Sequence, residues 1–498
     1  MARLIGRILD LAANATPNAI AATFGDRVVT FAEADRAANR MARALLELGV
    51  RRGDRVIVWC DASLRAFELF FATQRIGAVF APINPEFSLD EALACILYAR
   101  PRLLIADPRH ATIAEAAAQR ASVELATFGG SSVTPGRDLE EGARRASDQA
   151  IAQEIDEEDI HAMFFTSGST GQPKGVMLSH RASFIRSYQG NSRSEVSGGA
   201  GEVCTFPFFH WAGWNYLLAS WAHRRPLHIP MRLDGDAILS EVERWCASIL
   251  YCIPALWERV LAADRKFDSS SLHYTFTGTS RIDPVLIARI RDRFPVAQCG
   301  VLYGSTEFGL GLGIADADIS RKPGSVGLPP PGKEARIVDG ELQLRSDSMM
   351  SGYFELAEQT RAVFDDGWYL TGDLAERDAD GYFTITGRRR DVIRSAGETI
   401  APAEVEEALG SFPGVAEVAV IGVPDNAWGE LICAAVVLAP GAAQPSLDLL
   451  RAHVDGRLAA FKHPRRLVIV DALPRTAATN QIMRARVRDE LLAGSAIA

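Results

Sequence analysis

Long apolar runs are missing from this chain, and so are cysteine pairs, ligand-spaced histidines and any surplus of positive charge. The most apolar stretch, around Phe67–Ile83, is interrupted by Glu68, Gln74 and Arg75, so it is not suited to cross the hydrocarbon core of a bilayer. The N-terminus, Met-Ala-Arg-Leu-Ile-Gly-Arg-Ile-Leu-Asp, carries an apolar stretch too short for a secretory signal, and no small-residue cleavage site follows it. Seven cysteines (Cys60, Cys95, Cys204, Cys246, Cys252, Cys299, Cys433) are scattered without a C-x-x-C pair. That argues against a disulfide framework or a zinc site and fits free thiols in a reducing cytoplasm. The formal net charge of −9 gives no electrostatic case for nucleic acid or an anionic membrane. A cytoplasmic protein without a membrane span or a nucleic-acid partner is expected.

What is present describes an ordinary globular protein, with 48% hydrophobic and 23% charged residues. Its 498 residues exceed one simple core and imply about two to four domains or subdomains. The opening third alternates strand-like and helix-like periods. Thr30 followed by Glu33 is a capping box, and Ala34, Ala37, Ala38, Met41, Leu45 and Leu48 recur at helical spacing until Gly49. Asp54 then precedes a strand over Arg55–Cys60, a helix runs to Gly77, and Ala78–Ile83 reads as a short buried strand. That βαβ rhythm predicts an α/β fold with mostly parallel sheets covered by helices. Residues 109–150 are Ala-rich and polar, then loop-like at Gly129–Gly136, and read as a peripheral helix and connector without chemistry. A strand over Tyr382–Thr386 ends in Gly387-Arg388-Arg389-Arg390-Asp391. A stretch of about a hundred residues follows with the pattern of a small α+β domain. It has a helix start at Pro402, strands at Val418–Val423 and Ile432–Leu438, a helix around Leu447–Leu458 and a strand at Leu467–Val470.

The most informative segment is residues 166–180, Thr-Ser-Gly-Ser-Thr-Gly-Gln-Pro-Lys-Gly-Val-Met-Leu-Ser-His, directly after the apolar run Met163, Phe164, Phe165. Glycines let backbone amides approach an anion, Ser and Thr hydroxyls donate to its oxygens, and Lys174 supplies a point charge. A Walker loop needs Gly immediately before its Lys, where this chain has Pro173. By composition alone the segment reads equally as a flexible Gly/Ser surface loop. The string itself closely resembles the phosphate loop of the adenylate-forming superfamily, which comprises acyl-CoA synthetases, peptide-synthetase adenylation domains and luciferases.

The resemblance extends through further segments in the order that family has them, covering nearly the whole chain. It implies a large N-terminal domain, 1–388, holding ATP and an acyl pocket, a small mobile α+β domain, 391–498, and a hinge at 389–390. Thr166, Ser167, Gly168, Ser169, Thr170, Gly171 and Lys174 are implied to hold phosphates. Tyr303-Gly304-Ser305-Thr306-Glu307 resembles the second nucleotide segment. There an aromatic stacks on adenine, Thr306 donates to the α-phosphate, and Glu307 offers a hard oxygen to Mg²⁺. Tyr369-Leu370-Thr371-Gly372-Asp373-Leu374 looks like the ribose segment: Asp373 accepts from both hydroxyls, and Arg388 approaches the same sugar.

Phe206-Pro207-Phe208-Phe209-His210-Trp211-Ala212-Gly213-Trp214 resembles the lining of the acyl pocket. His210 is its gate, with Trp211, Trp214 and Phe308 as walls; the bland alternative is a packed core histidine. Gly278-Thr279-Ser280-Arg281 stands where relatives often read Gly-Ala-Ala-Pro, implying either a more polar pocket edge or only a rim contact. Ser395-Ala396-Gly397-Glu398 resembles the border of a pantetheine tunnel, with Gly397 admitting the thin arm. Arg390 falls at the hinge, where relatives usually carry Asp or Lys.

One departure bears on catalysis. Relatives read Pro-Arg-Thr-Ala-Thr-Gly-Lys-Ile, and that lysine bridges carboxylate and α-phosphate oxygens. Here Pro474-Arg475-Thr476-Ala477-Ala478-Thr479-Asn480-Gln481-Ile482, with one extra residue, puts Gln481 in its place. Losing one donor aimed at developing charge costs roughly 10²–10³ in rate. Three readings stay open: a replaced lysine, a substitute cation among Arg475, Lys462 and Arg484, or drifted chemistry. The resemblance therefore implies an acid–thiol ligase using ATP, Mg²⁺ and coenzyme A on a small carboxylate, as a monomer or homodimer. A nitrite-dependent diazotase and a weakly active nucleotide-binding protein are the alternatives.

Overall fold

The computed structural model describes residues 2–129, 138–167, 173–189, 201–279, 283–395, 398–425, 428–455, 457–476 and 480–494. Contacts divide the chain into two compact units: 1–324 with 329–334 and 345–369, and 325–328 with 335–344 and 370–498. By this division residues 370–388 group with the C-terminal part, earlier than the expected boundary at 388/391.

The first unit is built on two sheets. In the seven-stranded one, Arg55–Trp59, Val79–Pro82, Leu103–Ala106, Glu124–Thr127 and Ile160–Ser167 run parallel, while Pro173–Ser179 and Gly352–Tyr353 add antiparallel strands at one edge. The expected capping box is formed: Thr30 Oγ1 accepts from the Glu33 amide at 3.3 Å, and Glu33 accepts the Thr30 amide at 2.9 Å. The helix Leu64–Ile76 ends at Gly77, whose φ of 68° is the left-handed cap that glycine reaches without strain. The stretch expected to be a connector instead supplies the strand Glu124–Thr127, which pairs with Leu103–Ala106 at the sheet edge. Its short Glu-Leu-Ala-Thr sequence has weak β character, and pairing rather than propensity decides it.

The eight-stranded sheet is parallel in its centre and antiparallel at both rims, where Ile20–Phe24 pairs with Arg27–Thr30 and Gln298–Ser305 with Gly309–Ile314. Helices Leu64–Ile76 and Trp211–Ala222 lie between the two sheets, so they are buried nearly all round. Trp214 anchors that layer: it stacks on Phe70 at 4.2 Å, meets Phe80 edge-on at 5.0 Å, and donates Nε1–H to the Phe208 carbonyl at 2.6 Å.

In the second unit, Ile393–Ser395, Glu398–Ile400, Val415–Asp425, Gly429–Leu438 and Arg466–Ile469 form a five-stranded, mostly antiparallel sheet. Helices Pro402–Gly410 and Leu447–Val454 pack on one face through Val405, Leu409, Leu450 and Val454. The helix Arg484–Leu492, absent from the sequence reading, buries Val487 with Ala419, Ile421 and Cys433. All seven cysteines are free thiols. No helix among the described residues is long and apolar enough to cross a membrane.

Candidate functional site

The strand Ile160–Ser167 and its antiparallel partner Pro173–Ser179 carry the phosphate-loop segment at the carboxyl end of the former, with Thr166 opposite Lys174. Ligands of α/β sheets gather at that end. Gly168, Ser169, Thr170 and Gly171 lie outside the described residues, as do Ser280 and Gly397; Thr166 and Lys174 bracket the loop. Lys174 Nζ sits 5.1 Å over the ring of Tyr353. The Tyr353 hydroxyl donates to Glu307 Oε1 at 3.3 Å, and the Tyr369 hydroxyl backs Tyr353. Burial and the Glu307 carboxylate push both phenols well above their usual range, so they remain donors at neutral pH. The phosphate-loop lysine and the expected metal carboxylate are thus brought onto one tyrosine.

The Thr306-Glu307-Phe308 turn joins the antiparallel strands Gln298–Ser305 and Gly309–Ile314. A Cβ on Gly304 would lie 2.5 Å from the Gly309 carbonyl, so only glycine fits. Tyr303 stacks on Phe308 at 5.5 Å, and Phe308 meets Tyr369 at 5.6 Å. Glu307 is half-buried, and its Oε2 accepts no hydrogen bond among the described residues. A hard carboxylate oxygen left open beside phosphate donors suits Mg²⁺.

Of the expected acid-pocket residues, His210 precedes the helix Trp211–Ala222 with its ring 4.7 Å from that of Phe209. Burial pushes its imidazole down to about 4, so it is neutral at pH 7. Trp211 meets Phe164 edge-on at 5.6 Å. Trp214 is 0% exposed and belongs to the core between the sheets, a correction to its expected place in a pocket wall. Trp211 and Trp214, three residues apart, share one side of the helix, but the Trp214 ring is packed against Phe70 and Phe80. Gly278 ends the strand Tyr274–Gly278; a Cβ there would fall 2.3 Å from the Tyr251 hydroxyl. Thr279 follows at φ 71°, a rare conformation for a β-branched residue and a mark of a constrained site.

In the second unit, Asp373 lies opposite Arg388, and Arg388 Nε forms an ion pair with Asp373 Oδ1 at 3.0 Å. Gly372 at φ 71° makes the bend, and Glu341 accepts its amide at 2.8 Å. Gln481 sits on a tied loop: its amide donates to Thr476 Oγ1 at 3.0 Å, and its carbonyl accepts from the Thr476 amide at 2.8 Å. The three cations offered as substitutes are all paired with carboxylates. Arg475 holds Glu417 at 3.0 Å, Arg484 holds Glu406 at 2.5 Å, and Lys462 pairs with Glu404.

Sequence reasoning missed Tyr353, Arg186 and Lys333. Arg186 Nη1 and Nη2 donate to the Thr306 and Glu307 carbonyls, both at 2.9 Å, and Lys333 Nζ donates to the Phe308 carbonyl at 2.9 Å. The signal in the sequence was Arg186, one of two arginines in the helix that follows the phosphate loop. A cavity of about 450 Å³ lined by Arg52, Arg55, Val79, Ile160, Met163 and Phe354 lies elsewhere. Arg55, Val79 and Ile160 begin their strands, so it opens at the sheet end opposite the phosphate loop.

Comparison with known proteins agrees with the order of these segments. Residues 9–354 match the model of the AMP-binding enzyme family, and 404–479 match the AMP-binding enzyme C-terminal domain. The chain is 32% identical over 497 residues to a feruloyl-CoA synthase of Amycolatopsis sp, covering 96% of both chains. It is 30% identical to an indoleacetate–CoA ligase of Aromatoleum aromaticum, covering 94% of both. Among solved structures, ATP-bound MatB from Rhodopseudomonas palustris superposes with a TM-score of 0.89 at 28% identity, covering 98% of this chain and 99% of that one.

Proposed function

The chain belongs to the AMP-binding enzymes of the adenylate-forming superfamily, and from that premise we propose an AMP-forming acid–thiol ligase whose substrate is an aromatic or medium-chain carboxylic acid. In its first half-reaction a carboxylate oxygen attacks the α-phosphorus of ATP; the bond to the β-phosphate oxygen breaks, and pyrophosphate leaves. In the second, the coenzyme A thiolate attacks the acyl carbonyl and AMP leaves with the phosphate oxygen. The observation that carries this reading is the meeting of Lys174 and Glu307 on Tyr353, at 5.1 Å to the ring and 3.3 Å to the hydroxyl.

The residues divide the work as follows. Lys174 and the loop 166–171 bind the β- and γ-phosphates, Thr306 donates to the α-phosphate, and Tyr303 with Gly304 frames adenine. Asp373 accepts from the ribose hydroxyls, held in place by Arg388. Glu307 would hold Mg²⁺, which when bound neutralises phosphate charge. His210, Trp211, Gly278, Thr279, Ser280 and Phe308 shape the acid end, and Gly397 borders the pantetheine path. Positioning and fixed charge supply most of such catalysis. Support for an aromatic acid comes from the feruloyl and indoleacetate names of two relatives and from the neutral, aromatic surroundings of His210. The C-terminal part swings about 389–390 between the half-reactions; Arg390 is exposed and pairs only with neighbouring Asp391 at 3.5 Å among the described residues. A cytoplasmic location, where ATP and coenzyme A are at hand, and a monomer or homodimer go with this reading.

A screen of pyrophosphate release and thioester formation with ATP, coenzyme A and acids of graded size tests the reading. Neither product with any acid would reject it. Gln481 favours one second reading, an ATP- and nitrite-dependent diazotase, for which AMP release would require nitrite and an aryl amine. ATP binding without turnover, not restored by Gln481→Lys, would instead leave a nucleotide-binding protein.

A further inference from the structure

Three consecutive carbonyls of the Thr306-Glu307-Phe308 turn are held from behind by two buried cations. Arg186 spends its whole guanidinium on backbone: Nη1 on Thr306 and Nη2 on Glu307, each at 2.9 Å, and Nε on the Ser348 carbonyl at 2.8 Å. Lys333 Nζ donates to the Phe308 carbonyl at 2.9 Å and to Ser348 Oγ at 3.0 Å. The Met350 amide adds a second bond to the Glu307 carbonyl at 2.7 Å. Ser348 is fully buried and joins the two cations into one bracket. Gly309 makes room for it, because a Cβ there would lie 3.0–3.3 Å from the Arg186 stem.

This arrangement is expensive for a turn. Neither cation contacts a carboxylate among the described residues, and burying a charge without an opposite charge disfavours the fold. Burial pushes Arg186 down to about 9, and burial with the Arg186 charge pushes Lys333 down to about 7. Backbone amides or a hydroxyl could satisfy the same carbonyls at lower cost. Charge-assisted hydrogen bonds are shorter and stiffer than neutral ones, and they act here on the residues whose side chains face the nucleotide.

The geometry points to Arg186 and Lys333 as positioning residues that fix the Thr306 hydroxyl and the Glu307 carboxylate for a magnesium-bound nucleoside triphosphate. This rests on the nucleotide half of the proposed function. Arg186 also lies 5.6 Å over the ring of Trp211, so the bracket shares a wall with the acid-binding helix.

The test is calorimetric titration of the full chain with ATP, with and without Mg²⁺, for the wild type, Arg186→Met, Arg186→Lys and Lys333→Met. The expected result is at least a tenfold loss in the Mg²⁺-dependent gain in affinity for Arg186→Met. Affinity without Mg²⁺ stays within threefold, and Arg186→Lys recovers at least part of the loss. Parallel loss of both affinities, or an unchanged Mg²⁺ gain in both methionine variants, would overturn the assignment. Should Arg186→Met fail to fold, Arg186→Lys and Lys333→Met decide it by the same criteria. A wild type that binds magnesium-ATP yet forms no thioester would reject the ligase reading and leave this bracket standing.

Discussion

At residue scale the decisive position is Gln481. Its backbone is tied to Thr476 in both directions, so a lysine placed there would be presented from a fixed loop. The nearby candidates to replace it, Arg475, Arg484 and Lys462, are each held by a glutamate, and recruiting one would break an ion pair. Gln481→Lys is therefore expected to raise pyrophosphate release at least tenfold, in line with the roughly 10²–10³ effect of one well-aimed donor. An unchanged rate would place position 481 away from the adenylation centre. Asp373 makes a second residue-scale case. Its carboxylate is already oriented by Arg388 at 3.0 Å, which suits the proposed role of binding ribose. Asp373→Ala should raise the KM for ATP by about tenfold, roughly the 1.4 kcal/mol of one charged hydrogen bond. Its kcat should fall much less; the reverse pattern in steady-state kinetics would assign Asp373 a role in the reacting geometry.

At the scale of elements, the helix Trp211–Ala222 carries core residues beside those proposed for the acid pocket. Trp214, stacked on Phe70 at 4.2 Å, is core, and Trp214→Ala should cost about 3–5 kcal/mol of stability, read as a lower denaturant midpoint. The adjoining strand Glu202–Cys204 gives a pH signature. Burial raises the Glu202 carboxyl to about 8, and the Ser220 hydroxyl, donating to Oε2 at 3.1 Å, and Arg225 only partly offset it. The folded state then binds this proton more tightly than the unfolded chain. Its contribution is complete below about pH 4.5 and is lost as pH rises to about 8. Wild type should lose stability across that window, and Glu202→Gln should lose less, by at least about 1 kcal/mol at pH 8 or roughly 1 °C in Tm for a chain of this size. Parallel melting curves for the two proteins from pH 5 to 8 would contradict the assignment.

The same scale explains what the sequence disclosed. The capping box at Thr30 and the helix start at Pro402 are local, since their signals lie within four residues, and they were legible. The strand Glu124–Thr127 was not, because its stability comes from Leu103–Ala106 next to it. Nor was the bracket of Arg186 and Lys333, whose bonds reach 120 and 25 residues along the chain. Trp214 was legible as aromatic but not as core, since the rings it packs against, Phe70 and Phe80, lie far off in the sequence.

At the scale of the whole molecule, the residues proposed to carry the chemistry fall in both compact units: Lys174, Thr306 and Glu307 in one, Asp373, Arg388 and Gln481 in the other. The point where 370–388 changes sides was not readable, because strand pairing of Asp373 with Arg388, not composition, draws it. Similarity to CoA ligases spans 94–96% of both chains, so it reaches both units. The most direct test of the central claim is a coupled assay with ATP, Mg²⁺, coenzyme A and an aromatic acid, measuring pyrophosphate and thioester together. The account expects both products in equal amounts, abolished by Glu307→Ala; pyrophosphate and thioester absent with every acid, or a Glu307→Ala protein as active as the wild type, would contradict it.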